Sequence, residues 1–216
     1  MPVRRVSNHG RNVIGRFPST KMGRMIAFES LLERDFIYLL EYEPSVAWFE
    51  EQPMSIEYVQ EGKRLRYTPD FHLLEHGQHV LVECKPQRFV ETEENRHKFA
   101  AARDWCGECG WEFRPMTDQQ IRTGFRLQNV KLLAQYARQK VDAVIRSQID
   151  TFLHDTPSTL SISYLSHTIL PEHPEAVVTG ILCLAYHHEI SLALLDDAPI
   201  SDTTTVLKFL AKESGR

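Results

Sequence analysis

Residues 67–85 read YTPDFHLLEHGQHVLVECK. An acid follows proline at Pro69-Asp70, and twelve residues separate Asp70 from Glu83, itself two before Lys85. Arg64 to Leu74 reads as a strand, Glu75-His76-Gly77-Gln78 as a turn, and His79 opens a second, apolar strand. Side chains alternate along a strand, so Glu83 and Lys85 share one face while Val82 and Cys84 point to the other. Pro69 cannot donate to a ladder, which suits an edge or a bulge beside a site. Two carboxylates brought to one place form a hard oxygen site of the kind Mg²⁺ prefers, with Mn²⁺ as its substitute. The adjacent ammonium can offset charge on a phosphate or orient an attacking water.

This is the spacing of the PD…ExK signature of metal-dependent nucleases, which is weak as a bare string and gains from its strand–turn–strand setting. A third carboxylate is expected from a preceding helix. Residues 28–42 hold a 3.6-residue apolar period in Leu32, Phe36, Ile37, Leu39 and Leu40. Glu33 falls inside that apolar arc, where a carboxylate must be paired, hydrogen-bonded or metal-bound. Glu29 lies one turn earlier on the same face and competes for the role. A glutamate at the stripe's edge paired with an arginine accounts for the pattern equally well.

Several stretches in order extend the signature: Glu29 to Asp35, Leu40 to Val46, Phe49 to Pro53, Tyr67 to Phe71, Val82 to Pro86, and Ile121 to Tyr136. Together they resemble TnsA, the endonuclease subunit of heteromeric cut-and-paste transposases. The likeness spans about residues 20–140. It implies that Glu33, rather than Glu29, joins Asp70, Glu83 and Lys85 as the catalytic set. Some family members carry glutamine at the position of Glu83. The resemblance also implies cleavage of the non-transferred strand of double-stranded DNA at transposon ends. A DDE-type transposase and a regulatory ATPase are the implied partners. Cations would be held by Glu33, Asp70, Glu83 and the Cys84 carbonyl, and Gln52 is a candidate support. A self-sufficient restriction or repair nuclease and a non-catalytic assembly subunit are the competing readings; the intact charged set speaks against the latter.

The net charge of −4 is unevenly spread. Residues 1–28 carry Arg4, Arg5, Arg11, Arg16, Lys21 and Arg24 with no acid, and read as a basic arm for phosphate contact. Residues 147–207 hold eight acids and no lysine or arginine, a poor surface for DNA. Four scattered cysteines suggest reduced thiols, and Cys106-x-x-Cys109 lacks a second pair at zinc-ribbon spacing. No apolar run approaches a membrane span and the N-terminus has no signal-peptide pattern, so a cytoplasmic location is expected.

The fold expected is α/β: a restriction-endonuclease-like mixed sheet flanked by helices over 29–124, following the arm at 1–28. Residues 125–216 read as a small winged-helix-like domain, with one long helix from Leu127 to about His154 and helices from Pro157 to Ile169 and Glu175 to His188. A closing hairpin uses Ile190–Leu195 and Thr203–Leu210. The expected recognition helix, Glu175–His188, has no arginine, lysine, asparagine or glutamine to read a base edge, which favours protein contact over DNA.

Overall fold

The computed structural model describes residues 13–155 and 160–208. Two compact units divide between Thr123 and Gly124.

The first unit opens with the hairpin β1 (Gly15–Ser19) and β2 (Arg24–Phe28), paired antiparallel. The free arm expected through residue 28 is therefore corrected over these residues. Lys21 and Arg24 account for it: both side chains are engaged inside the unit. Lys21 Nζ donates to the carbonyls of Leu40, Glu43 and Val46 at 2.7, 2.7 and 2.9 Å, and the Arg24 guanidinium forks onto both oxygens of Glu51 at 2.8 and 2.6 Å. Arg4, Arg5 and Arg11 lie outside the described residues.

Helix α1 (Leu31–Tyr42) follows, buried through Leu32, Phe36, Ile37 and Leu40. Next come β3 (Val46–Glu51), β4 (Ile56–Gln60), β5 (Lys63–Tyr67), β6 (Phe71–Glu75) and β7 (Gln78–Lys85). Short helix α2 (Gln87–Val90), helix α3 (Glu93–Cys109), strand β8 (Glu112–Thr117) and the single turn α4 (Asp118–Ile121) complete the unit. The main sheet runs β3-β6-β7-β8, antiparallel except for the parallel β7–β8 pair. It is a mixed sheet between helices, as expected for a restriction-endonuclease-like fold. Phe36 of α1 meets Phe71 edge-on with ring centroids 5.6 Å apart. A second cluster joins Ile56, Tyr67, Leu81, Ala102 and Cys106, so α3 and the β4–β5 hairpin pack against the Leu81 side of β7.

The single strand expected over residues 64–74 is two strands. β5 pairs with β4, whereas β6 lies inside the main sheet, and Thr68-Pro69-Asp70 bridges them. Proline at residue 69 stops the ladder, which lets the chain pass from one sheet to the other. Both hairpins turn tightly: Glu61-Gly62 and His76-Gly77 have positive φ at both positions, the I′ geometry that matches strand twist.

The second unit runs α5 (Arg126–Ala134), α6 (Ala143–Asp155), β9 (Leu160–Ser161), α7 (Ile162–Ile169), α8 (Pro174–Tyr186), β10 (Ile190–Leu192) and β11 (Thr205–Lys208). Its three-stranded sheet has the order β10-β11-β9, all antiparallel. The long helix expected from Leu127 to His154 is broken. After Ala134 the chain tightens into i to i+3 bonds, Tyr136 N–H to the Leu133 carbonyl among them. It restarts where the Asp142 carboxylate accepts from Val144 N–H at 2.8 Å. Aspartate there is a helix-start signal that the uninterrupted apolar period concealed. The helix expected to open at Pro157 begins instead at Ile162, capped by Ser161; Pro157 and Ser158 lie outside the described residues. Asn129, fully buried, ties this unit to its own hairpin connection by donating to the Leu195 and Ala198 carbonyls and accepting from Ile200 N–H.

Candidate active site

Three elements bring the charged set together. The end of β7 carries Glu83, Cys84 and Lys85, the β5–β6 crossing carries Asp70, and the start of α1 carries Glu33. All five line one cleft of about 520 Å³, with Glu29, Ser30, Arg66, Tyr67, Phe89 and Lys98 also on its walls.

Asp70 is fixed by backbone. Its Oδ2 accepts from Cys84 N–H at 2.8 Å, and its carbonyl accepts from Gln52 N–H at 2.8 Å. Gln52 thus reaches the site through its main chain, in the left-handed region at φ 46°. Its side-chain Oε1 is buried and has no hydrogen-bond partner among the described residues. Glu83, 4% exposed, accepts from the Tyr67 hydroxyl on Oε2 at 3.0 Å and pairs through Oε1 with Lys85 Nζ at 2.9 Å. Strand alternation alone accounts for that last contact.

Glu33 has a local task as well. Ser30 is the N-cap of α1, and its Oγ accepts from Glu33 N–H at 3.1 Å while donating to Glu33 Oε1 at 2.8 Å. Glu33 Oε2 accepts from Glu29 N–H at 2.7 Å. This is a variant of the capping box in which the glutamate takes the amide one residue before the cap, closing the helix start while it faces the cleft. The S-x-x-E signal at Ser30–Glu33 lies inside the helix's apolar period, which masks it. No arginine is needed to explain why Glu33 is tolerated.

The electrostatics are those of crowded like charges. Asp70 is held well above the usual carboxylate range, first by burial and then by Glu83 and Glu33, against the Cys84 N–H and Lys85. Glu33 is raised too, chiefly by burial, with Glu29 and Glu83 adding to it. Lys85 is the counterpart: burial opposes its charge, but Glu83, Asp70 and Glu33 together raise its pKa. Burial and the same three acids push the Cys84 thiol well up, so it stays a neutral packing group. Carboxylates that repel one another in a walled cleft fit an oxygen-ligated cation, which relieves the repulsion. Among the described residues, no three histidine, cysteine or acidic side chains already stand in a ligand cage.

Residues 43–118 match the family model of the TnsA-like endonuclease N-terminal domain. The chain carries a TnsA-like endonuclease domain. The matched span contains Asp70, Glu83 and Lys85; α1, which contributes Glu33, precedes it. No curated protein matches the chain.

Tyr67, Ser30, Arg66 and Lys98 were not among the site residues read from the sequence. Ser30 was legible as a cap. Tyr67, Arg66 and Lys98 reach the cleft from the β4–β5 hairpin and α3, and no local spacing announces that meeting. No helix among the described residues is long and apolar enough to cross a membrane.

Proposed function

We propose that this TnsA-family protein is a Mg²⁺-dependent DNA endonuclease subunit of a cut-and-paste transposase, cleaving the non-transferred strand at transposon ends. The observation that carries the reading is the convergence of Glu33, Asp70, Glu83 and Lys85 on one cleft in a TnsA-like domain. Glu33, Asp70, Glu83 and the Cys84 carbonyl would hold the cation, with Mn²⁺ able to replace Mg²⁺. When bound, a divalent cation supplies Lewis acidity toward the scissile phosphate and lowers the pKa of water.

The chain's own groups do the rest. Lys85, kept protonated by its acidic neighbours, offsets negative charge gathering on the phosphoryl oxygens and steers the attacking water. Tyr67 and Lys85 hold the two Glu83 oxygens from opposite ends, which fixes the carboxylate's orientation. Cys84 N–H does the same for Asp70. A DDE-type transposase would supply the other strand's cut, and a regulatory ATPase would license assembly, with the acidic second unit as the docking part. Arg4, Arg5, Arg11 and Arg16 would add phosphate contacts.

Strand cutting of transposon-end DNA, assayed with the partner subunits present, tests this. Asp70→Ala should abolish Mg²⁺-dependent nicking with the fold intact. Lys85→Ala should depress turnover more than cation affinity. Undiminished cutting by Asp70→Ala protein sinks the assignment.

A further inference from the structure

We infer that the β4–β5 hairpin and helix α3 form a phosphate-gripping surface that holds duplex DNA on both sides of the cut, through Arg64, Arg66 and Lys98. This deepens the nuclease reading above and rests on it.

Besides Lys85, the cleft that holds the carboxylates is lined by two cations from separate elements, Arg66 of β5 and Lys98 of α3. A cleft rich in acid alone would repel a phosphodiester, so flanking positive charge is what a polyanionic substrate requires. Arg66 lies opposite Glu57 in the β4–β5 ladder, and Arg64 opposite Val59. Two residues apart on one strand, Arg64 and Arg66 therefore share one face, from which Arg66 lines the cleft, while Tyr67 reaches Glu83 from the other. Both arginines are exposed, and a tight two-residue turn joins the hairpin's strands.

The acids that pair with these cations do not neutralise them for good. Arg66 meets Glu57 at 2.7 Å with side chains 76% and 58% exposed, and Lys98, 23% exposed on the cleft wall, meets Glu94 at 73% exposure. Exposed pairs of this kind are worth about 0.2–1 kcal/mol and exchange readily for a phosphate. Lys21 and Arg24 differ: their partners lie inside the unit, and leaving them would orphan buried groups. The cations placed to meet DNA are thus those at the cleft mouth.

The test uses the full chain carrying Asp70→Asn to keep the probe uncut, and a fluorescein-labelled duplex followed by anisotropy across a KCl series. Arg64→Gln with Arg66→Gln should weaken binding by about tenfold or more and flatten the log–log salt slope by about 2, and Lys98→Gln should flatten it by about 1. Arg103→Gln, on α3 over the Phe113 ring, makes the same charge change elsewhere and should leave the slope nearly unaltered. Coincident slopes for parent and cleft variants, an equal loss with Arg103→Gln, or no salt-dependent binding by the parent would each overturn the surface. These outcomes are separable from the cleavage assay. Slope changes in a protein that never cuts retain the surface and remove the nuclease; cutting with indifferent slopes does the reverse.

Discussion

Asp70 shows the tension between stability and chemistry at a single residue. Without a cation, its proton is held by the folded protein well above the pH at which the unfolded chain releases it. The folded state therefore binds more protons than the unfolded one, and the sign follows: stability is intact below about pH 3.9 and is lost as pH rises toward the folded pKa. Asp70→Asn keeps an oxygen for Cys84 N–H and removes the charge. In EDTA at neutral pH we expect it to gain roughly 1–3 kcal/mol over the parent, with the gap closing at acid pH. Urea melts across pH check this, and a variant less stable than the parent at neutral pH contradicts it. Asp70, Glu83 and Lys85 were legible in the sequence because strand alternation is a property of backbone. Glu33 and Glu29 could not be separated by periodicity, since both reach the cleft and what distinguishes them is a hydrogen-bond pattern. Tyr67 was hidden because its partner lies sixteen positions away on another strand.

At the scale of elements, Lys21 is the informative case. Counted as charge it belonged to a DNA-binding arm; in the structure it closes the end of α1 with three bonds to carbonyl oxygens. Burial holds its pKa below the usual lysine range, with Glu41 and Glu43 acting against that. Glu41 completes the joint by accepting from Thr20 and Lys21 N–H and from the Ser19 hydroxyl. Removing the ammonium leaves carbonyls at a helix end without donors. Lys21→Met should cost about 2–3 kcal/mol by thermal melt, since unmet groups carry their own penalty. Its DNA salt slope should match the parent's; a slope shallower by about 1 would return Lys21 to the phosphate contacts. Most elements were readable from period and turn residues. The exceptions were the Pro69 break between sheets and the break between α5 and α6, where a turn-maker competed with a continuing apolar pattern.

Over the whole molecule, charge divides along the chain. Residues 147–207 lack lysine and arginine, and within the second unit Arg126 meets Asp196 while Arg146 pairs with Glu189. A fragment cut at the observed boundary, residues 124–216, should capture the transposase or ATPase subunit in a pull-down and leave duplex DNA unshifted at physiological salt. Tight DNA binding without partner capture would favour a nuclease that works alone. One feature of the first unit reaches furthest. Glu33 clasps the opening turn of α1 with the same two oxygens it turns toward the cleft. An occupant that draws on either oxygen competes with that clasp, and a weakened bond lets the amide of Glu29 trade its hydrogen with solvent faster. The helix start is thus a built-in gauge of the cleft, readable by deuterium uptake before any strand is cut.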